Sequence, residues 1–221
     1  MKTLLILTAL LLSPWMAHAE DSECGALKEC LTAPVDATRT DSLQRGAKLF
    51  VNYCLGCHTA KYVRYERVAD DLGIDHKLMM SNLVWTTDKI GDHMLSGGRP
   101  DEQAKWFGNA PPDLTLETRL HSADWVYSYL LSFYPDSKRP WGVNNKVFKD
   151  VAMPNALETL NIELGDDGYK KAVGDLVNYM AYMAEPIKTE REHIGWWVWA
   201  FLVVLFIPVY LLNKEYWKDI H

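Results

Sequence analysis

Hydrophobic residues are concentrated at the two ends of this chain, and a mixed, amphipathic stretch lies between them. Near the N-terminus, Lys2 precedes an apolar run over residues 4–12, and a small-residue Ala-His-Ala motif ends at Ala19. This order is typical of a secretory signal peptide, so we expect residues 1–19 to be cleaved before Glu20. The alternative, a short membrane anchor, is disfavoured because the apolar run is too short to span a bilayer.

The second apolar segment, residues 194–212, contains 19 residues without a charge. As an α-helix it would extend roughly 29 Å, which is close to the thickness of a bilayer's hydrocarbon core. Tryptophans crowd its first turns, and Tyr216 and Trp217 follow its end, as in the aromatic belts of membrane proteins. We therefore predict one C-terminal transmembrane helix over residues 194–212, the alternative being a buried core helix.

Together, the two ends predict a single-pass protein of the bacterial inner membrane. The signal peptide would export the chain that follows it, and the second segment would stop transfer. Residues 20–193 would then lie in the periplasm, and residues 213–221 would form a cytoplasmic tail whose lysines agree with the positive-inside rule. No Arg-rich presequence is present, which favours a bacterial export signal over an organelle signal.

Between the ends, the periodicity predicts a mainly α domain with long loops. Residues 20–40 show little periodicity and predict an N-terminal arm, while residues 41–193 form the domain itself. Helices are expected over 42–53 with Ser42 as N-cap, from Pro111-Pro112-Asp113 onward, over 123–133 and over 169–184. Residues 61–110 are mixed and polar, and the Pro-, Asn- and Gly-rich residues 134–168 predict a long loop region.

Composition narrows the class of protein further. The net charge of −6 argues against nucleic-acid binding, so no nucleic-acid partner is expected. Hydrophobic residues make up 48% of the chain, which disfavours wholesale disorder. Four cysteines are too few for a disulfide-dense scaffold.

Residues 54–58 read C-L-G-C-H, the C-x-x-C-H pattern by which haem c is attached. Two thiols at this spacing can each add to one haem vinyl group, and the adjacent His58 can ligate the iron as proximal ligand. The rival interpretations are a thioredoxin-like redox pair, half of a zinc site, or half of a disulfide. A thioredoxin-like pair would need a βαβ pattern, and a zinc site would need a second matching pair, and the sequence contains neither.

The sixth iron ligand is harder to predict. Met180 and Met183 lie in an apolar helical stretch, where methionine is usually core filler. Met153 lies in the long loop, and Pro154 favours an extended backbone at that position, so Met153 is a candidate for the axial sulfur ligand. Met94 or a histidine is the alternative.

Several ordered motifs resemble the cytochrome c1 family, the membrane-anchored haem subunit of the ubiquinol–cytochrome c reductase. They are SLQRGAKLFVNYCLGCH with KYVRYERV after it, then NAPPDLTLETR, DWVYSYL, VAMP, and the single C-terminal span. The resemblance covers roughly residues 41–221. It implies a cytochrome c-like haem domain that holds one covalent haem c.

The resemblance also implies roles for individual residues. Cys54 and Cys57 would be the thioether cysteines, with His58 and Met153 as axial ligands of the iron. Pro111 and Pro112 match the family's proline pair at the haem edge, Arg119 an arginine near a haem propionate, and Trp125 an aromatic position near the pocket. Residues 66–108 are hard to align, so no role is transferred there.

The function implied is transfer of single electrons from a Rieske iron–sulfur protein to a soluble or anchored cytochrome c, beside a cytochrome b subunit and membrane lipid. Candidate docking charges are Asp101, Glu102, Glu163, Asp166, Asp167 and Asp175. The alternatives are another membrane-anchored c-type electron carrier, or a haem-free exported thiol or metal module. Cys24 and Cys30 lie outside the motifs and either form a disulfide or stay free.

Overall fold

The computed structural model describes residues 24–219. The predicted signal peptide therefore lies outside the described residues. Most of the described chain is helical, and its strands are short and paired two by two, which confirms the predicted mainly α fold class.

The helices, in chain order, are α1 (Thr40–Leu49), α2 (Tyr65–Leu72), α3 (His76–Asn82), α4 (Pro100–Phe107), α5 (Glu117–Leu120), α6 (Ala123–Leu131), α7 (Glu158–Ala184) and α8 (Lys188–Tyr216). A π-helical turn, Phe50–Cys54, continues α1. The strands are β1 (Ala60–Arg64), β2 (His93–Met94), β3 (Phe133–Pro135) and β4 (Val143–Asn145). β1 pairs with β2 and β3 with β4, both antiparallel.

The core is built where α1 crosses α7. Gly46 permits the close approach, because a Cβ at this position would lie only 2.1 Å from the carbonyl oxygen of Asp175. The rings of Phe50 and Tyr179 pack beside the crossing with centroids 5.7 Å apart, and both are fully buried. This crossing fixes the end of α1, and the π-helical turn that continues α1 leads into the C-x-x-C-H turn.

A buried polar cluster at the same crossing contradicts two predictions from the sequence, one for Ser42 and one for Asp175. Ser42 donates its hydroxyl to Asp175 across 2.6 Å, and Arg45 pairs with the other carboxylate oxygen. Ser42 is therefore not an N-cap, since α1 already begins at Thr40. Asp175 is 6% exposed and engaged within the fold, so it is wrong as a docking charge.

The N-terminal arm is an integral part of the domain. The backbone N–H groups of Leu31 and Ala33 donate to the side chains of Ser128 and Asp124 on α6, each over 2.7 Å. A disulfide joins Cys24 to Cys30, which answers the question that the sequence left open.

The structure corrects the predicted elements in three further stretches. Residues 111–116 are not helical, and helix α5 begins only at Glu117, because Asp113 bonds to a neighbouring segment instead of capping a helix. Residues 134–168 include the β3–β4 pairing and the start of α7, so the loop is shorter than expected. Residues 61–110 contain regular elements, among them α2 to α4, that the mixed pattern did not predict.

Helix α8 contains the whole predicted span and has no buried residue. Among the described residues, it is the helix long and apolar enough to cross a membrane. Its full exposure contradicts the alternative of a buried core helix.

Candidate haem site

The C-x-x-C-H segment forms a tight turn at the end of the π-helical turn that continues α1. The backbone N–H groups of Cys57 and His58 both donate to the carbonyl oxygen of Cys54, over 3.1 and 2.8 Å. Leu55, between the thiols, is buried and anchors the turn in the core. Both thiols are free, and burial raises the pKa of Cys54 to about 12. The interpretation as half of a disulfide is therefore wrong, since the structure pairs Cys24 with Cys30.

A mostly apolar groove, which we call the central groove, lies against this turn. It consists of two adjoining cavities that share His58, Pro112, Ala152 and Met153. Cys57, Phe107 and Pro111 line one cavity; Cys54, Glu117, Trp125, Tyr129 and Met180 line the other. The two thiols, the imidazole and the Met153 thioether thus all face one apolar space.

The orientation of His58 is set by its own hydrogen bond. Its Nδ1 lies 2.8 Å from the carbonyl oxygen of Pro112. A carbonyl can only accept, so Nδ1 carries the proton and Nε2 is left as a ligand. Burial lowers the pKa of His58, which favours the neutral imidazole that metals bind. This contact also gives Pro112 a defined role at the groove.

The carbonyl of Pro112 is held in place by pairing of its segment with the chain after His58. Leu114 donates its N–H to the carbonyl of Thr59 over 2.8 Å. The Asp113 carboxylate accepts from the Thr59 hydroxyl at 2.7 Å and from the Lys61 N–H at 2.8 Å. The Pro-Pro-Asp motif therefore works as an extended brace for the histidine.

Met153 lies on the loop that follows β4 and lines both cavities of the groove. The Tyr129 hydroxyl donates to its Sδ over 3.5 Å. Met94, the alternative from the sequence, is fully buried and accepts from Tyr179 instead. Met180 lines one cavity from α7, so among the described methionines two reach the groove.

Arg119 is not brought to the central groove. Its guanidinium pairs with Glu185 at 2.9 Å and lines a separate polar cavity beside the start of α8. Pro111 does line the groove, and so does Trp125, whose ring stacks between His121 and Tyr129.

Sequence reasoning missed three residues at the site. Gln103 on α4 is buried and donates its side-chain amide to the carbonyl of Cys57 over 3.0 Å. Tyr129 and Glu117 enter the groove from α6 and α5. Single polar residues in helices form no recognisable sequence motif. Their contacts at the site form only when elements distant in the sequence pack together.

The residues present fit a covalently bound haem. The donor set combines two free thiols, an imidazole with Nε2 unengaged and a thioether, all around apolar walls that suit a porphyrin. Among the residues that the structure describes, no group of three or more His, Cys, Asp or Glu side chains could hold a metal ion.

Comparison with known proteins agrees with this geometry. The profile of the Cytochrome C1 family matches residues 31–220. Cytochrome c1 of Allochromatium vinosum is 43% identical, with both chains covered completely. The ammonia monooxygenase gamma subunit of Nitrosomonas europaea is 40% identical over 98% of this chain and 97% of its own. Cytochrome c1 of Rhodospirillum rubrum is 27% identical over 80% of this chain and 81% of its own. The chain therefore belongs to the cytochrome c1 family, the membrane-anchored electron carriers of the bc1 complex that hold one covalent haem c.

Proposed function

We propose that this chain binds haem c through Cys54 and Cys57, with His58 and Met153 as axial ligands, and carries single electrons. One observation supports this most directly: the imidazole and the thioether line the same apolar groove beside two free thiols. When bound, the haem supplies a reversible one-electron couple. With a ligand on each face, its iron offers no open position for a substrate.

The surrounding residues prepare the groove for that role. Pro112 fixes the His58 ring, Gln103 holds the attachment turn, and Tyr129 orients Met153. Phe107, Pro111 and Trp125 exclude water from the groove walls. Rigid placement of both ligands keeps the rearrangement between oxidation states small.

The family and the sequence support a direction of electron flow and a topology for this chain. The electron donor would be a Rieske iron–sulfur protein and the acceptor a soluble or anchored cytochrome c, with a cytochrome b subunit beside α8. The haem domain, residues 41–193, would face the periplasm, since a signal peptide would precede it. Helix α8 would cross the inner membrane and leave residues 213–221 in the cytoplasm.

Axial ligation is tested by the absorption spectrum of the purified full-length protein. Met153→His should keep the covalent haem, detected by staining after denaturing electrophoresis, but lose the absorption of sulfur-to-iron coordination. Met180→Leu is the matched control, since Met180 lines the same groove, and it should keep that absorption. The reverse pattern would make Met180 the ligand; loss of haem staining from the parent protein would refute the proposal.

The name of the Nitrosomonas relative favours a second candidate, an anchored c-type carrier that serves a different membrane oxidoreductase. Both candidates predict the same haem spectrum, so the spectrum cannot distinguish them, but co-purification can. Mild detergent extraction should yield a b-type cytochrome and an iron–sulfur protein with this chain. Recovery with a monooxygenase instead would favour the second candidate.

A further inference from the structure

Two ionisable side chains lie in the wall of the central groove without a role in binding the haem. Glu117, at the start of α5, and His121, just after α5, approach to 3.7 Å between Oε1 and Nε2. The Glu117 side chain is only 18% exposed and that of His121 is 40% exposed. Both line the cavity that contains His58 and Met153. A carboxylate is thus held at the groove while its histidine partner reaches solvent.

An aromatic stack connects this pair to the Met153 side. The His121 ring stacks on Trp125 with centroids 4.3 Å apart, and Trp125 stacks on Tyr129 at 5.3 Å. The Tyr129 hydroxyl then donates to Met153. The wall between Glu117 and the thioether is therefore packed with rings, so a charge at Glu117 is weakly screened by water.

Among the described residues, few other charged or ionisable groups line this cavity with Glu117. Helix α6 contributes Tyr129, and the attachment turn contributes Cys54 and His58 to the same cavity. Helix α7 contributes Met180, which does not ionise. Arg119, on α5 itself, is paired with Glu185 in the other cavity.

The electrostatics agree with this geometry. Burial raises the pKa of Glu117, and His121 offsets only part of that rise. The Glu117 charge also adds to the rise that burial causes in the pKa of Tyr129. Its field therefore reaches the residue that contacts the thioether.

We infer that Glu117 sets the reduction potential of the haem and exchanges one proton with solvent as the haem changes its oxidation state. This inference rests on the proposed function. An anionic Glu117 stabilises the more positive, oxidised haem and lowers the potential. When one electron arrives from the iron–sulfur donor, Glu117 takes up one proton from solvent; on oxidation by the acceptor cytochrome, both leave.

Potentiometric titration of the purified holoprotein, with soluble one-electron mediators, tests the inference across about pH 4 to pH 9. The potential of the parent protein should fall as pH rises through the Glu117 transition. If one proton is taken up with each electron, the reduction equilibrium changes at most tenfold per pH unit. The potential then falls by about 59 mV per pH unit. Glu117→Gln should remove most of this dependence of the potential on pH. At pH values above the Glu117 transition, its potential should be higher than that of the parent protein.

Two further variants sharpen the test. Glu163→Gln removes an exposed carboxylate of α7 that does not line the groove, and it should leave both the slope and the potential unchanged. His121→Gln should move the sloping region to higher pH, because Glu117 loses the partner that lowers its pKa.

The outcomes separate this inference from the proposed function. If the potential of Glu117→Gln depends on pH as steeply as that of the parent protein, the proton binds elsewhere, for instance on a haem propionate. This result would overturn the inference. Loss of the slope in His121→Gln alone would make His121 the proton site and overturn it equally. If the parent protein carries no stainable haem, the proposed function itself fails. Circular dichroism of each variant shows whether the fold is retained.

Discussion

The hydroxyl of Tyr129 donates a hydrogen bond to Sδ of Met153 over 3.5 Å, joining α6 to the loop after β4. Burial raises the pKa of Tyr129, so the hydroxyl keeps its proton at neutral pH and remains a donor. Stacking on Trp125 and an edge-on contact with Phe133 hold the ring in position. The proposed sulfur ligand is thus oriented by a side chain from another element.

Tyr129→Phe should lower the haem potential. The hydrogen bond withdraws electron density from the sulfur and therefore disfavours the oxidised iron. Without this bond, the variant favours the oxidised iron more than the parent protein does. A bond worth about 0.5–1.5 kcal/mol corresponds to as much as roughly tenfold in the reduction equilibrium. Redox titration measures the change. Tyr127→Phe, whose hydroxyl donates to the Lys170 carbonyl, is the control, and an equal shift there would contradict the prediction.

Gly46→Ala should destabilise the domain, because its Cβ would meet the Asp175 carbonyl at 2.1 Å and the Tyr179 Cβ at 2.6 Å. Overpacking of this kind costs about 1–3 kcal/mol. Urea unfolding of the full chain in detergent, followed by circular dichroism, measures the loss. Gly97→Ala is the control, since no atom lies within 4 Å of its added Cβ, and it should unfold like the parent.

Asp113 should make the stability of the domain depend on pH in the acid range. Burial by itself would raise its pKa, but hydrogen bonds from the Lys61 N–H, Thr59 and Thr115 outweigh burial, so the folded pKa is lowered. The stabilisation is fully present above the unfolded pKa of about 3.9 and is lost as pH falls through the folded pKa. Asp113→Asn should unfold more easily at neutral pH.

Unfolding free energies measured at several pH values check this expectation. Between about pH 5 and strongly acidic conditions, Asp113→Asn should lose less stability than the parent, because the titrating group is gone. Asp88→Asn removes an exposed carboxylate and should follow the parent curve. Equal acid sensitivity in Asp113→Asn and the parent would assign the effect to other groups.

The acidic residues divide into surface and structural groups, which a kinetic measurement can separate. Asp166 and Asp167 are exposed, so replacing both with Asn should slow electron transfer to a basic soluble cytochrome c by roughly tenfold at low ionic strength. Asp175→Asn should leave that rate and its salt dependence unchanged, and lower stability by about 1–3 kcal/mol. A rate insensitive to salt in the parent would refute electrostatic steering.

Local sequence patterns determined the parts of this protein whose chemistry is contained in a few neighbouring residues. The five residues of the C-x-x-C-H motif predict haem attachment, and the 19 uncharged residues 194–212 predicted the central part of α8, which itself runs from Lys188 to Tyr216. Helices were also predictable within 123–133 and 169–184, although α6 ends at Leu131 and α7 begins at Glu158.

The tertiary structure decided everything that depends on residues far apart in the chain. The sequence pattern could not show that Asp175 would be buried against Ser42 and Arg45, or that Arg119 would pair with Glu185. Nor could it bring Glu117 and Tyr129 into the groove of His58 and Met153. Each of these contacts forms only when helices and loops pack, and the exposure and charge of a side chain are set by the neighbours that packing provides.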